Sequence, residues 1–401
     1  MFFGFTALQS FIIIILVFIV VYWLLPKNLS WISFLVLVLM LSHLAYNVEP
    51  NESDDLYRYF DTLDFLRAGG KEAWDACIEN KWNSWHIYRV CGWYFYFISK
   101  LSNNHYLPAI TIFIVYGLMF MVINNISKRY DASKVDTFIG SMFFLSTYWY
   151  YDTVSGIRNG LAFAVVFTCA YYHLMVRKYI PLCIIGYVLA CFTHSAAIMP
   201  VVLIALAILT LNNSGKYINF LLIFGIIGGG IGIQFLASAF PGNEFLQSIA
   251  GKAETNGLGD SLYTDTLYLT NVVTVVLVAI IVLYYSYYIL RSDQSKEIKL
   301  LYKFCSIVIY FVIGSLYSVL IFMRFARWVI PIIGALFIIV GRKTQADVSQ
   351  EKGADFMKYF APFTVRIRYQ TKTVFSLVIV AYIIIHFWYL CAGSSLNWIH
   401  F

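Results

Sequence analysis

The chain alternates long apolar runs with short polar breaks. The runs lie at 8–25, 30–46, 105–124, 136–151, 157–176, 218–240, 266–290, 300–322, 326–341 and 372–391. Each approaches the roughly 20 residues that an α-helix needs to cross a hydrocarbon core about 30 Å thick. The stretch 179–211 is about twice one span, and it is interrupted at Thr193-His194-Ser195 and again at Pro200. It therefore predicts two short helices meeting near His194. The pattern as a whole predicts an all-α polytopic membrane protein of about 12 transmembrane helices (range roughly 11–14), one transmembrane domain over 1–401. The first run follows MFFGFTALQS, which holds no Lys or Arg, so it reads as a retained helix and not as a cleaved leader.

Composition agrees with this pattern. Hydrophobic residues make up 61% of the 401-residue chain and charged residues 12%, against roughly 45–50% and 25% in soluble domains. A soluble dinucleotide-binding or barrel enzyme, a nucleic-acid reader and a secreted cysteine-stapled module are excluded. The 7 cysteines show no CxxC or Cys/His spacing. Cys77, Cys91 and Cys391 are the ones that an outward orientation would place in an oxidising compartment.

Charge asymmetry orients the chain, because cytoplasmic loops carry the excess of Lys and Arg. The aromatic stretch 85–99 either crosses or lies at the interface. With the N-terminus outside and 85–99 not crossing, the cytoplasmic set comprises Lys27, Lys128, Arg129, Lys134, Arg177, Lys178, Lys216, the 291–303 loop and the segment 342–371 with Lys372 at its end. That set holds 18 of the 28 basic residues and 7 of the 21 acids, net +11, and leaves the outer side net −4. A crossing at 85–99 would put Lys128 and Arg129 outside, so the non-crossing arrangement is expected. Residues 47–100 then form an acidic outer loop, in which Leu56, Tyr59, Phe60, Leu63 and Leu66 recur at the spacing of an interfacial amphipathic helix. The polar, Gly-rich stretch 241–265 is a second outer loop, long enough to favour a functional role. Residues 342–371 are a basic cytoplasmic segment suited to anionic lipid.

The polar groups near the membrane are few. Asp55, Arg58 and Tyr59 follow the second run; Asp152 and Arg158 lie in YDTVSGIRNGLA; His194 lies in CFTHSAA; Arg324 and Arg327 lie in MRFARW, between two apolar runs. All fall on the outer side of the charge-derived topology, where a shared aqueous cavity would offset their desolvation. Each has a structural reading beside a chemical one. Arg324 and Arg327, three apart, share a helix face as snorkelling anchors or as an anion site. Arg158 pairs with Asp152, or it ligates a diphosphate together with the N–H groups at a helix start. His194 packs between helices or exchanges a proton. Asp55 pairs with Arg58 or accepts a proton from a hydroxyl. His43 and His173 read as structural, while His86, beside Trp85, is a candidate substrate contact. Trp74, Trp82 and Trp93 sit in an interfacial belt or stack on sugars. Asp54 and Asp55 would diverge by about 100° on a helix and supply too few oxygens for a metal. Metal-free chemistry is expected, with arginines supplying the positive charge.

Four stretches taken together resemble a known family. These are Asp55 with Arg58-Tyr59, SGIRNGLA with Arg158 and Asn159, FTHSAA with His194 and Ser195, and RFARW with Arg324 and Phe325. Their order and spacing over about residues 40–340 resemble the EpsG family, whose members look like Wzy-type polymerases of bacterial exopolysaccharide, capsule or O-antigen repeat units. The resemblance implies a GT-C-like fold in the bacterial cytoplasmic (inner) membrane, with its active site facing the periplasm or cell exterior. The implied reaction moves a glycan en bloc from undecaprenyl diphosphate onto the terminal sugar hydroxyl of a lipid-linked repeat unit. In that reaction Asp55, Arg158, His194 and Arg324 are the expected catalytic residues. Arg58, Tyr59, His86, Asn159 and Arg327 are the expected substrate contacts. Where related sequences carry a Glu-Pro-like pair, this chain reads Ser84-Trp85-His86, so the base falls to Asp55, His86 or His194. No cofactor is expected. The expected partners are the lipid-linked donor and acceptor, membrane lipids and a chain-length-regulating copolymerase, with no nucleic acid.

Rival readings differ in what they require. A flippase or transporter of lipid-linked oligosaccharide needs paired broken helices and a midplane polar site, and only the interruption at 193–200 fits. An outer-face glycan ligase would use very similar arginines and a histidine. An acyltransferase needs a histidine that meets its thioester from the cytoplasmic side. A scaffold gives no reason for three arginines at one membrane face.

Overall fold

A backbone in hydrocarbon has only itself to hydrogen-bond with, so the apolar runs fold as helices. The computed structural model describes residues 6–52, 54–81, 84–211, 235, 237–244, 246–247, 266–292, 295–317, 319–351 and 364–392. In chain order the longer helical elements are α1 (Ala7–Leu24), α2 (Ser30–Tyr46), α3 (Asp55–Glu79), α4 (Arg89–Ser99), α5 (Tyr106–Arg129), α6 (Lys134–Thr147), α7 (Tyr150–Ser155), α8 (Ile157–Tyr171), α9 (Ile180–Thr193), α10 (Ile198–Leu209), α11 (Thr266–Ser292), α12 (Lys296–Gly314), α13 (Val319–Trp328), α14 (Ile330–Glu351) and α15 (Thr364–Ala392). Several begin at side-chain caps that satisfy the first free N–H groups. Thr6 and Gln9 exchange hydrogen bonds at the start of α1, and Ser133 and Ser295 accept from first-turn amides of α6 and α12.

Among the described residues, seven helices are long and apolar enough to cross a membrane. They are α1, α2, α5, α8 with its π turn, α11, α13 running into α14, and α15. The chain is a multi-pass, all-α membrane protein. Leu16, Leu182, Leu283 and Leu377 are more than half exposed on the outer faces of α1, α9, α11 and α15, where lipid replaces water. In contrast, α14 packs against α6, α11 and α13 and is buried throughout from Ile332 to Val340.

Two of the other expected crossings fold differently. The run 136–151 yields only the 14-residue α6, because Tyr148 takes an extended conformation and turns the chain into α7. The run 300–322 breaks at a 3₁₀ turn over Ser315–Tyr317. There Ser315 donates its hydroxyl to Val312 O, a side-chain bond that competes with continued helix. Arg324 and Arg327 therefore lie on a helix, α13, and not in a connector between two spans. The run 179–211 forms two short helices that part at His194. Pro200 does not interrupt the second, since it sits in the first turn of α10, where a missing N–H leaves nothing unpaired. Most of 218–240, most of the 241–265 loop, residues 352–363 of the basic segment and Trp82 lie outside the described residues.

Residues 55–99 form two helices beside the bundle. The expected apolar stripe of α3 is present, with Leu56, Tyr59, Leu63 and Leu66 buried and Phe60 partly so. It packs onto α4 and α7, so its apolar partner is protein. Gly70, at φ +56°, kinks α3. The 11 residues of α4 reach only about 17 Å, short of a span.

The charged residues sort to two ends. At one end Lys27 pairs with Asp131 at 2.6 Å, Arg342 with Asp136 at 3.3 Å and Arg177 with Glu297 at 3.7 Å. The helices that leave this basic end arrive at the other, roughly 36 Å away along the 24 residues of α5. There the C-terminus of α2, the start of α5, the α6–α7–α8 corner, the end of α9 and the end of α13 lie. All seven cysteines are free thiols, with Cys77 and Cys91 buried, so none of the three considered for pairing is bridged.

Candidate active site

The site is built on a corner. Helix α7 ends and α8 begins at Gly156, whose N–H donates to Asp152 O at 2.7 Å. A Cβ at Gly156 would lie 2.5 Å from that carbonyl oxygen and 3.3 Å from the Trp328 indole. Only glycine lets the chain turn so tightly with a tryptophan against it. Trp328 meets Tyr148 edge-on at 5.4 Å and stacks over Phe163 at 6.5 Å. This packing draws α13 against the start of α8. On the other flank, the Tyr151 hydroxyl donates to Asp54, which also accepts the Asn51 N–H at 3.3 Å. The first turn of α3 is thereby tied to α7.

Arg158, in the first turn of α8, donates from Nε to the Tyr59 hydroxyl at 3.0 Å, with its guanidinium carbon 5.7 Å from the centre of that ring. Tyr59 is held edge-on against Phe95 at 5.0 Å and is buried, which pushes its hydroxyl pKa up to about 12. It therefore stays a neutral acceptor for the guanidinium. Arg324, one turn before Trp328, lies close enough to Arg158 to feel its charge, with Asp55 acting on both. Arg324 makes no ion pair among the described residues. Asp55 itself pairs with Arg58, one turn along α3, and both are substantially exposed, at 45% and 68%.

The open alternatives at the arginines resolve differently for each. Asp152 pairs with Arg327, at 3.0 Å, and not with Arg158. Arg327 is mostly buried, and its guanidinium lies 5.7 Å from the Trp149 ring. Its role here is to neutralise a buried carboxylate, although its Nε is buried with no hydrogen-bond partner among the described residues. Asn159, next to Arg158, likewise has a buried Oδ1 without a partner among the described residues. Both are polar atoms that an incoming polar group would satisfy.

His194 is buried at the break between α9 and α10, where its Nδ1 accepts the Ala196 N–H at 3.1 Å and caps the short turn. A neutral imidazole that accepts at Nδ1 carries its proton on Nε2. In this arrangement His194 is a hydrogen-bond donor at Nε2. Its ring lies parallel to that of Tyr88 at 6.2 Å, which joins α4 to the site. His86, two residues earlier, instead faces Glu244, with Nε2 3.3 Å from its carboxylate.

Other expectations change. Trp74 is buried against Trp85 at 5.9 Å and Trp93 at 4.7 Å, which makes it an internal packing residue, neither belt nor sugar platform. His173 meets the Tyr187 hydroxyl at 3.3 Å near the basic end, a structural contact. Glu244 and Tyr88 were not legible as site residues, because no spacing links them to the arginines; Tyr151 and Trp328 lie in the stretches YDTVSGIRNGLA and MRFARW but are not among the candidates drawn from sequence. Among the described residues no group of three or more His, Cys, Asp or Glu side chains is placed to hold a metal ion.

Comparison with known proteins returned no match among curated proteins and none among solved structures. Among protein families, the EpsG family matches residues 80–349. The matched region carries Arg158, His194, Arg324 and Arg327, whereas Asp55, Arg58 and Tyr59 precede it. A match over two thirds of the length, across the helices that build this corner, shows that the chain belongs to the EpsG family.

Proposed function

We propose that this protein is a glycosyltransferase of the Wzy type, which polymerises lipid-linked oligosaccharide repeat units at the outer face of a bacterial cytoplasmic membrane. The observation that carries the reading is the packing of α13 on the start of α8, with Trp328 against Gly156, which sets the helix of Arg324 beside the first turn of α8 where Tyr59 holds Arg158. Like charges on neighbouring helices repel, and an anionic ligand with two or more oxygens would turn that cost into binding. The rigid donor forks of guanidinium groups suit a diphosphate. The positive-inside rule places the basic end in the cytoplasm and this site outside.

In the proposed reaction, the glycan on undecaprenyl diphosphate is the donor and the terminal hydroxyl of a repeat unit is the acceptor. The acceptor oxygen attacks the anomeric carbon as the bond from that carbon to the diphosphate oxygen breaks. The leaving electron pair stays on the diphosphate, where Arg158 and Arg324 stabilise the growing charge. Asp55, about half exposed, takes the acceptor proton. His194, with its proton on Nε2, donates to a substrate oxygen and serves less well as the base. Tyr59 orients Arg158, Arg58 sets the position of Asp55, and Asn159 offers its amide to the glycan. Arg327 acts on substrate only through its unpartnered Nε. The exposed apolar helix faces suit two polyprenyl tails, and a chain-length-regulating copolymerase would dock from the same membrane.

The test is polymerisation by purified protein supplied with synthetic undecaprenyl-diphosphate-linked repeat units, read as a ladder on a gel. Arg158→Lys keeps the charge but loses the fork and the hydrogen bond to Tyr59. We expect a drop in rate of about 10²-fold or more with unchanged folded yield. Parental chain lengths from that variant would reject the role of Arg158.

A further inference from the structure

Between residues at the α3–α4 connection and residues of the 241–247 stretch lies a cavity of about 280 Å³, lined only by described residues. Lys81, Ser84, His86, Glu244 and Gln247 line it together with Ile87 and Pro241. We propose that this cavity is a carbohydrate subsite, which takes a sugar of the acceptor glycan; the proposal rests on the polymerase reading above and gives that reading its acceptor side.

The lining has the chemistry of a sugar site. Glu244 accepts from Lys81 and stands 3.3 Å from His86 Nε2. Lys81's hydrogen bond and charge hold the Glu244 carboxyl below its usual range, so it is an ionised acceptor at neutral pH. Lys81, His86 and Gln247 add donors, and Ile87 and Pro241 add apolar surface for the C–H face of a ring. Opposite charges nearly cancel. That suits a neutral polyhydroxylated ligand and disfavours a second diphosphate, which Glu244 would repel. The volume falls at the lower end of ligand pockets, about 300 Å³, which is right for a sugar ring and too small for a polyprenyl chain.

Fold stability does not account for the cluster. Lys81 and Glu244 are more than half exposed, and exposed ion pairs contribute little. The connector is nonetheless held in a costly shape, with Lys81 at φ +54° and Ser84 at φ +58°, positions where side chains other than glycine are strained. His86 Nδ1 is buried with no hydrogen-bond partner among the described residues. The same connector reaches the catalytic centre. Trp85 packs on Phe95, which meets Tyr59, and Tyr88 lies over His194. His86 and Tyr88 are two residues apart, within about 7 Å along the backbone. A glycan whose terminal hydroxyl lies near Asp55 and His194 would place a neighbouring sugar here.

The experiment titrates single-repeat oligosaccharides, released from the producing cell's polysaccharide by mild acid, into purified full-length protein in a calorimeter. Inorganic pyrophosphate, titrated separately, probes the arginines. Glu244→Gln removes the charge, while Pro241→Trp fills the cavity from an exposed position without touching the ion cluster. The expected result is oligosaccharide binding by the parent, weakened at least tenfold in both variants, with pyrophosphate binding unchanged. No binding by the parent, or equal binding by parent and both variants, overturns the subsite. Glu244-dependent oligosaccharide binding in a protein that makes no polymer from lipid-linked units would keep the carbohydrate subsite and reject the polymerase reading.

Discussion

Arg158 owes its direction to Tyr59, and Asp152 is paired with Arg327 and not with Arg158. On the proposed reading, Arg158 and Arg324 serve an anion and Arg327 chiefly serves the fold. Removing one partner of a mostly buried ion pair leaves the other charge stranded, at about 3–5 kcal/mol. Arg327→Ala should lower the thermal midpoint and the folded yield in detergent. Asp152→Asn with Arg327→Gln should recover much of that loss. Recovery of polymerisation with the double variant would show that Arg327 is structural, and continued inactivity in a stable double variant would show that it also touches substrate. Asp55 and His194 separate by another test. Asp55→Asn should cut turnover by about 10²–10⁴-fold with little change in stability. His194→Asn keeps a side-chain acceptor for the Ala196 N–H and should fold, so a parental rate from it would leave His194 with capping alone.

Helix ends, more than helix middles, make this site. Among the elements shorter than a span are α6 and α9 at 14 residues and α10 at 12. At 1.5 Å per residue they reach only about 18–21 Å. Helix ends inside a membrane need side-chain partners or a water-lined cavity. His194 lies between the ends of α9 and α10, and Asp152 and Arg158 lie at the α7–α8 corner that follows the end of α6. The tightest of these is the α7–α8 corner, where Gly156 has a carbonyl oxygen 2.5 Å from any added Cβ. Gly156→Ala should push α8 away from Trp328 and cost about 1–3 kcal/mol, with a larger fall in polymerisation than in stability because Arg158 is displaced. Equal thermal midpoints for variant and parent would refute the packing argument.

Across the whole molecule the ion pairs near Lys27, Arg177 and Arg342 stand at one end and the arginine site at the other. Single cysteines placed at 158 and 324 in a cysteine-free background should react with a membrane-impermeant thiol reagent added outside intact spheroplasts. Positions 27 and 177 should react only after lysis. Labelling of 158 and 324 solely after lysis would reverse the orientation and remove an outward-facing polymerase from consideration.

Hydrophobicity alone determined that the chain is a helical membrane protein, because each span is a local property of about 20 consecutive residues. The stripe of α3 and the break at His194 were legible for the same reason, since both are periodic or local. The family motifs pointed to Asp55, Arg158, His194 and Arg324 before any geometry was known. Tertiary structure decided which charges meet. The choice of Asp152 between Arg158 and Arg327 depends on how closely α13 packs on α8, and that distance is set by Gly156 and Trp328, more than 170 residues apart. Glu244 reached His86 across a similar gap in sequence. Contacts of that kind arise from the shapes of packed helices, and no periodicity along one strand of sequence encodes them.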